Sequence, residues 1–384
     1  MTLHDVAVVG AGPAGACAAR ALAEAGARVV LIEKRVLPRY KTCGGGVVAR
    51  ALGALPPRVR RDVETEAVEH ACHAAEIDLG DAGLRFRAQR ERPLISMVMR
   101  DRFDAVLVAA AQRAGAEVRE RSAVRGVAAG ADRIELATTD GPVVSRFVVA
   151  ADGATSETAR LTGFRPPRRC APAVEAEVGV SETDFARFAG AARFDFDSIA
   201  AGYGWVFPKR EHLSIGVCTM RTGVNLNSAL ARYLEKLGLS RPQHVDKHGF
   251  FITLGLRPGG VTRGRVLLAG DAAGLADPVT GEGISAAIES GTLAARVILD
   301  GAGDPARVGE GYGRALASLR REAAIGRVLA RLTYEQPRLR RWLFRRHGPL
   351  LTEAMIAVLM GERSYAGFLG RAKTWRVLFG LPRR

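Results

Sequence analysis

The first 35 residues constrain the fold more than any other part of the sequence. They contain an apolar run, DVAVV (5–9), the loop GAGPAG (10–15), the alanine-rich stretch ACAARALAEAG, and a second apolar run, ARVVLIEK, that reaches Glu33. Short apolar runs of this kind are typical of buried parallel strands, and the stretch between them has the composition of a helix. The chain is therefore predicted to begin with a β-α-β unit of an α/β fold.

The glycine loop predicts a dinucleotide site. Glycine lets the backbone approach a pyrophosphate, and the N-terminus of the following helix attracts its negative charge. Glu33 follows the last glycine of the loop, Gly15, by 18 positions and is placed to accept a hydrogen bond from a ribose hydroxyl. Pro13 favours flavin over nicotinamide dinucleotide, because the pattern GxGPxG is typical of flavoproteins.

Length and composition exclude several other classes of protein. The 384 residues, 48% hydrophobic and 25% charged, suit two or three globular domains and not a disordered chain. No 18-residue stretch lacks charge, and the start has no basic segment, so neither a transmembrane helix nor a signal peptide is expected. Five cysteines without a CxxC pair, and histidines without metal-ligand spacing, predict no disulfide framework, no metal site and a reducing cytoplasm.

Positive charge is concentrated at the C-terminus. The net charge is +16, and residues 330–384 hold 12 Arg and Lys against Glu335, Glu353 and Glu362. The segment RLRRWLFRRH mixes Arg with Trp, Leu and Phe, as a helix lying on a membrane surface does. A solvated helical face fits the same composition, and both interpretations stay open. Nucleic-acid binding is not expected, because no nucleic-acid motif accompanies the charge.

The rest of the chain alternates between strand and helix patterns. A mostly helical stretch is predicted from the glycines at 44–46 to about His70, followed by strands within 74–99 and a helix that ends before Gly115. Short strands are expected from 123 to 150 and from 174 to 256, where a helix over 226–237 interrupts them. The strand RVLLAGD and the helix GISAAIESGTLAARVIL come next, and the remainder is predicted to be helical.

Five motifs carry a resemblance to a known family. GAGPAG, ADGATS (151–156) and GDAAGLADPVTGEG (270–283) resemble the p-hydroxybenzoate-hydroxylase-type flavoproteins, and RYKTCGGG (39–46) and YGWVFPK (203–209) are similar to motifs of the geranylgeranyl reductase family. The resemblance implies a Rossmann-like, three-layer FAD-binding domain with an inserted antiparallel-sheet substrate domain and a helical C-terminus. The expected FAD-binding domain comprises 1–70, 96–165 and 258–305, the substrate domain 71–95 and 166–257, and the helical region 306–384.

The resemblance also implies a set of FAD contacts. Glu33 would bind the adenosine ribose, Arg100 the pyrophosphate, and Asp271 a ribityl hydroxyl. The backbone of Val124 would contact the adenine, and the helix that begins at Gly283 and Ile284 would face the flavin pyrimidine. The complete set is Gly10, Gly12, Ala14, Gly15, Glu33, Lys34, Cys43, Gly44, Arg100, Val124, Asp271, Gly283 and Ile284.

The expected substrate-binding and catalytic residues lie in the motifs RYKTCGGG and YGWVFPK. Tyr203, Trp205 and Phe207 alternate, which puts them on one face of a strand, as the wall of a prenyl tunnel or as ordinary sheet packing. Lys209 either pairs with a substrate head group or caps the strand end. Catalytic roles are assigned to Cys43, Tyr203 and Trp205, although a thiol with a pKa of about 8.5 is a poor acid toward carbon. Cys218 stands where the reductase motif has a second glycine after Gly216.

The implied activity is FAD-dependent reduction of isolated double bonds in a prenyl chain. NAD(P)H or a ferredoxin-type protein would supply the electrons, and the enzyme would be cytoplasmic, with residues 330–384 peripheral on the inner face of the membrane. One alternative is a monooxygenase or halogenase, since YGWVFP partly matches the WxWxIP motif of flavin halogenases. A second is a basic membrane-associated binding protein in which the flavin has no function.

Overall fold

The computed structural model describes residues 2–370 except residues 168 and 240. The strands are β1 (Leu3–Val9), β2 (Val29–Ile32), β3 (Gly46–Val48), β4 (Val68–Cys72), β5 (Ala74–Leu79), β6 (Leu84–Gln89), β7 (Ile95–Val98), β8 (Glu117–Arg119), β9 (Val124–Ala129), β10 (Ile134–Thr138), β11 (Val143–Ala150), β12 (Cys170–Gly179), β13 (Ala192–Asp195), β14 (Gly202–Pro208), β15 (His212–Thr219), β16 (His244–Thr253), β17 (Thr262–Arg263) and β18 (Val266–Leu268).

Helices fill most of the remaining described chain. They are α1 (Pro13–Glu24), α2 (Ala49–Gly53), α3 (Pro57–Glu66), α4 (Arg100–Arg113), α5 (Glu157–Leu161), α6 (Glu182–Phe188), α7 (Leu226–Lys236), α8 (Ile284–Asp300), α9 (Pro305–Ala315), α10 (Ala317–Glu335), α11 (Pro337–Leu359) and α12 (Tyr365–Leu369).

The first sheet has a parallel centre. Strands β8, β2, β1, β11 and β18 run parallel, β17 adds an antiparallel edge, and β9 and β10 extend the N-terminal part of β11. Every residue of β2 is buried, as expected for a strand covered on both faces. Helices α1, α4 and α8 pack together, and α8 approaches α1 so closely that a Cβ on Gly291 would lie 2.0 Å from the carbonyl oxygen of Ala14. The predicted α/β fold is confirmed.

The second sheet is almost entirely antiparallel. Its order is β16-β12-β15-β14-β13-β5-β6, in which only the pair of β13 and β5 is parallel. One face of α7 is buried against β12 and β15. A small third sheet, β3-β7-β4, contains the two strands that flank the predicted helical stretch before His70.

That prediction of a mostly helical stretch is wrong at both ends. Helices α2 and α3 form, but β3 precedes them and β4 follows them, since both strands pair with β7. A strand of three residues is too short to show an alternating pattern, and its pairing partner is about 50 residues away in sequence. The predicted domain boundaries stay a prediction.

The C-terminal region is helical as far as the structure describes it. Helices α9–α12 follow α8, and α11 packs against β6 of the second sheet. Within the described residues no helix is both long enough and apolar enough to cross a membrane. Residues 371–384 of the predicted basic segment, including Trp375, lie outside the described part of the chain.

Candidate active site

The predicted glycine loop forms a tight turn between β1 and α1. Gly10 has a φ of +98°, and a Cβ on it would lie 2.5 Å from the carbonyl oxygen of Ala151. A Cβ on Gly15 would lie 1.9 Å from the carbonyl oxygen of Gly10. Gly12 is the N-cap of α1 and supplies no side-chain cap, so the first N–H groups of the helix remain available to an anion.

Two arginines approach this helix N-terminus. A guanidinium nitrogen of Arg100 lies 3.9 Å, and one of Arg39 lies 4.0 Å, from the place a Cβ on Gly12 would occupy. The fully buried Asp104 accepts two hydrogen bonds from Arg100 (2.9 and 3.0 Å) and one from Arg39 (3.0 Å). Burial lowers the pKa of Arg100, but Asp104 and Cys43 together raise it above its ordinary value, so the guanidinium stays charged. Asp104 thus holds two guanidinium groups beside the loop, a donor set that suits a diphosphate.

Glu33 organises the same loop from the end of β2. Its Oε2 accepts a hydrogen bond from the N–H of Ala11 (3.1 Å), and its Oε1 accepts one from the N–H of Arg35 (3.1 Å). It also forms an ion pair with Arg39 at 3.2 Å. The neighbouring Lys34 is exposed, and Val124 is the first residue of β9. The nucleotide contacts of these three predicted residues stay a prediction.

The second predicted cofactor segment follows β18. Asp271 lies in a 3₁₀ turn, and its Oδ1 is 3.1 Å from where a Cβ on Gly283 would stand. Gly283 is the N-cap of α8 and Ile284 is its first residue, as predicted. Burial raises the pKa of Asp271, against the opposing effect of Lys41 and Arg100.

Glu282 was not predicted and changes the electrostatics of this helix end. Its Oε1 accepts a hydrogen bond from the N–H of Ser285 (2.7 Å), and its Oε2 pairs with Arg50 at 3.2 Å. One N–H group at the start of α8 is therefore already bonded to a carboxylate within the protein.

The two reductase-like motifs touch each other. A Cβ on Gly44 would lie 2.8 Å from Nε1 of Trp205, and one on Gly46 would lie 3.2 Å from the ring of Phe207. Gly45 has a φ of +74°, and a Cβ there would lie 2.0 Å from Nζ of Lys209. A side chain at Gly44 or Gly45 would displace Trp205 or Lys209, and one at Gly46 would be crowded, which explains the run of three glycines. We refer to residues 43–46 as the CGGG loop.

The aromatic residues of β14 lie on one buried face of the second sheet. Tyr203 and Trp205 are each 6% exposed, and Phe207 is 9% exposed. Gly216 of β15 is opposite Trp205, and a Cβ on it would lie 2.1 Å from the indole ring. We call the set of contacting rings on and beside this face the aromatic wall; it comprises Phe194, Phe196, Tyr203, Trp205, Phe207, Tyr334 and Phe344.

Cys218, which stands in place of the second glycine, is opposite Tyr203 on the neighbouring strand. Burial raises the pKa of Cys218 to about 12, so the thiol is neutral. The hydroxyl of Tyr203 donates to the carbonyl oxygen of Thr280 and so ties β14 to the segment before α8. The substitution of cysteine for glycine is thus accommodated by a contact with an aromatic residue.

Lys209 has different surroundings from those expected of a substrate contact. The ammonium of Lys209 is fully buried and donates to the carbonyl oxygen of Val98 at 2.6 Å. A head group has no access to it in this arrangement, and its location suits a strand-end contact. Cys43 is half-buried; its N–H donates to Glu175 Oε1 (2.8 Å), and its Sγ accepts from the N–H of Gly45 (3.4 Å).

Comparison with known proteins identifies the family. The model of the FAD binding domain matches residues 4–222. The chain is 32% identical to digeranylgeranylglycerophospholipid reductase 1 of Methanopyrus kandleri over 317 residues. This aligned region covers 77% of this chain and 80% of that protein. It is 31% identical over 315 residues to geranylgeranyl diphosphate reductase of Rhodobacter capsulatus, over 77% and 75% of the two chains. The protein belongs to the geranylgeranyl reductase family of FAD-dependent oxidoreductases.

Solved structures agree with this family at the level of the fold. A geranylgeranyl bacteriochlorophyll reductase-like protein from Thermoplasma acidophilum superposes with a TM-score of 0.76 at 26% identity, covering 88% of this chain and 90% of that one. The halogenase PltM superposes with a TM-score of 0.71 at 17% identity, covering 97% and 85%. The second similarity shows a shared fold alone.

The residues of this reductase-family chain fit FAD. The open N-terminus of α1, the uncrowded Gly12 and the two largely buried arginines suit the pyrophosphate. FAD supplies hydride chemistry when bound. Sequence reasoning did not single out Arg39 and Lys41, although both stand in the quoted RYKTCGGG motif. It also missed Glu175, which lies in a strand without any local motif.

Proposed function

We propose that this reductase-family protein saturates isolated carbon–carbon double bonds of a geranylgeranyl-type chain with a hydride from reduced FAD. The observation that carries the proposal is the contact of the CGGG loop with Trp205 and Phe207 of β14. Through that contact, one segment of the predicted flavin site adjoins an apolar wall. The prenyl reductase names of two relatives support the same chemistry.

The aromatic wall extends away from the loop in the manner an apolar chain needs. Ring centroids of Trp205 and Tyr203 are 6.1 Å apart, and those of Tyr203 and Tyr334 are 6.3 Å apart. Phe196 and Phe344 continue the wall at 6.3 Å toward α11. Aromatic rings bind an alkene by burial of apolar surface and leave the carbon skeleton unpolarised. Because the buried surface grows with the number of rings, specificity for chain length would depend on the length of this wall.

Anaerobic flavin spectroscopy tests the proposal. The protein is reduced with dithionite, freed of excess reductant, and mixed with geranylgeranyl diphosphate in the absence of oxygen. The proposal predicts reoxidation of the flavin by the prenyl substrate, and a rate lowered at least tenfold in Trp205→Ala. Reoxidation by oxygen alone, with a hydroxylated or halogenated product from an aromatic substrate, would instead support the monooxygenase or halogenase alternative.

We further propose that NAD(P)H or a ferredoxin-type protein delivers the electrons. The net charge of +16 suits an acidic partner protein, since complementary charge accelerates association. Rapid-mixing measurements of flavin reduction by NADH, NADPH and reduced ferredoxin would separate the donors. Strong salt dependence is expected for the protein donor alone.

We also propose that the helices α10 and α11 bind the inner surface of the cytoplasmic membrane. Among the described residues, four of the seven exposed large hydrophobic side chains lie here: Val328, Leu332, Leu339 and Trp342. Exposed arginines surround them at 327, 331, 338, 345 and 346. Apolar side chains beside cations are the composition that binds anionic lipid surfaces.

A further inference from the structure

We propose that Glu175 holds the proton that the reduction consumes and that Tyr40 connects it to solvent at His248. The inference rests on the proposed function, because saturation of an alkene requires one proton for each hydride. No residue assigned from the sequence supplies this proton convincingly, since Cys43 is a weak acid toward carbon.

Strand register places Glu175 beside the aromatic wall. Glu175 of β12 is opposite His248 of β16 on one side and Gly216 of β15 on the other. Gly216 is in turn opposite Trp205, whose ring covers it. Residues in one register row share a face of the sheet. The carboxyl and the indole therefore lie on the same face, separated only by a glycine.

The hydrogen bonds of Glu175 connect it to the CGGG loop. The residue is 1% exposed. Its Oε1 accepts from the hydroxyl of Tyr40 (2.7 Å) and from the N–H of Cys43 (2.8 Å). Its Oε2 is buried and has no hydrogen-bond partner among the described residues. A buried carboxylate leaves an oxygen unbonded at a high cost, whereas a protonated carboxyl carries its hydrogen at that atom.

A path to solvent starts at Tyr40. The ring of Tyr40 packs against that of His248 in a tilted arrangement, with centroids 4.2 Å apart at an angle of 34°. The His248 side chain is 29% exposed and pairs with Asp246 at 2.9 Å. It also lines a surface cavity together with Lys247 and Asn227. Glu175 is thus two side chains from bulk water although it is itself buried.

The charges around Glu175 favour its neutral form. Burial raises the pKa of Glu175, and Glu177 raises it further, while Tyr40, the Cys43 N–H and Lys209 lower it; the net effect is upward. Glu177 itself pairs with His212 at 3.0 Å. Burial and the adjacent carboxylate also raise the pKa of Tyr40, so its hydroxyl stays a donor.

The proton balance of the step is simple. One alkene carbon takes the hydride, and its neighbour takes the proton from Oε2 of Glu175, which becomes a carboxylate. Tyr40 then passes its hydroxyl proton to Oε1 in the same concerted step in which it takes one from solvent beside His248, and rotation of the carboxyl group exchanges its two oxygens, so that the proton again occupies the unpartnered position. Each saturated double bond thus consumes one hydride and one solvent proton, and the protein returns to its initial state.

The first test measures the proton on Glu175 directly and does not require turnover. Infrared spectra of the purified protein are recorded against pH, with Glu175→Gln and Glu177→Gln as a matched pair. We expect a buried carboxylic acid band that Glu175→Gln lacks. Glu177→Gln should still show the band. Because this variant lacks the negative charge beside Glu175, the pKa of Glu175 should fall, and the band should disappear at a lower pH than in the wild type. A band unaffected by Glu175→Gln would overturn the proposal.

The second test uses single turnover under anaerobic conditions. Glu175→Gln should slow flavin reoxidation by the prenyl substrate roughly 100-fold, the usual contribution of general acid catalysis. Tyr40→Phe should slow it less and reduce the solvent deuterium isotope effect. Dithionite reduction and reoxidation by oxygen should be unchanged in both variants. Wild-type reoxidation by substrate in Glu175→Gln would contradict the proposal, whereas failure of the wild type itself would refute the proposed function and leave the infrared result to decide the protonation.

Discussion

Among the residues outside the predicted set, Arg39 is the one that we expect to contribute most to pyrophosphate binding. It is only partly exposed and pairs with both Glu33 (3.2 Å) and Asp104 (3.0 Å), which fixes its guanidinium beside Gly12. It stands in the RYKTCGGG motif, but that motif does not indicate which partners the side chain meets. Its role follows from two acidic partners that are distant in sequence and meet only in the fold.

Replacement of Arg39 is expected to weaken FAD binding. Loss of a charge-assisted hydrogen bond costs about 1.5 to 3 kcal/mol, so Arg39→Ala should raise the Kd for FAD roughly 10- to 100-fold. Arg35→Ala is the matched control, because its side chain is exposed and its N–H bond to Glu33 is retained. Fluorescence titration of the apoprotein with FAD measures both variants. Equal affinities of the two variants would show that Arg39 does not contact the cofactor.

The affinity for FAD is expected to depend on pH through the titration of Lys41. Burial and the adjacent Arg100 lower the pKa of Lys41 to about 8. The ammonium loses its proton as the pH rises through about 8, and a positive charge near Asp271 and the anionic cofactor disappears. FAD binding should therefore weaken between about pH 7 and pH 9, and Lys41→Met should flatten that part of the profile. A profile that is identical in the variant would assign the titration to another group.

At the scale of elements, the contact between the CGGG loop and β14 depends on residues without side chains. The alternation of Tyr203, Trp205 and Phe207 was predictable because a strand places every second residue on one face. The pairing of Gly216 with Trp205 was not, since register depends on the turn between two strands. Glu175 was missed for the same reason: its partners Tyr40 and Cys43 are about 130 residues away.

Gly216→Ala tests the contact of β15 with Trp205. The added methyl would overlap the indole ring at 2.1 Å, and overpacking of this kind destabilises by about 1 to 3 kcal/mol. We expect a lower free energy of unfolding, a displaced Trp205 and loss of prenyl-dependent flavin reoxidation, with FAD still bound. Gly313→Ala is the control, since a Cβ there meets open space. Denaturant unfolding and flavin spectra are compared between the two variants. Equal stability and equal activity of the two would contradict the packing of Trp205 against Gly216.

The proposed membrane surface belongs to the paired helices α10 and α11. Leu332 and Leu339 lie within about one helical turn of the junction at Gln336, so the exposed side chains of both helices are close together. Leu339→Ser with Trp342→Ser should reduce binding to phosphatidylglycerol vesicles at least tenfold and leave catalysis of a dispersed substrate unchanged. Phe251→Ser removes an equally exposed side chain on β16 and should have no effect.

Vesicle co-sedimentation at two salt concentrations measures this binding. Higher salt should weaken it, because the arginines contribute through screened charge. Equal binding by the double variant and by Phe251→Ser would contradict the assignment of this surface.

For the whole molecule, the order of the secondary-structure elements was predictable from the sequence, but the contacts between elements far apart in the chain were not. The β-α-β start, the parallel sheet and the C-terminal helices follow from periodicity along the chain. The third sheet and the contact of α10–α12 with the segment before α8 arise from residues far apart in sequence. Tyr334 donates to the carbonyl oxygen of Val279, and Tyr365 donates to Asp277 at 3.0 Å, so the C-terminal helices hold that segment.

We propose that the substrate of this flavoprotein is an unactivated prenyl chain, and the mass of the product tests this. Purified, reduced protein is incubated without oxygen with geranylgeranyl diphosphate in deuterated buffer, and the product is examined by mass spectrometry. We expect each saturated double bond to gain two deuterium atoms, because the hydrogen that reduced flavin transfers exchanges with the buffer and the second arrives as a solvent-derived deuteron. An unchanged substrate mass, with the flavin still reduced until oxygen is admitted, would contradict reduction of this chain.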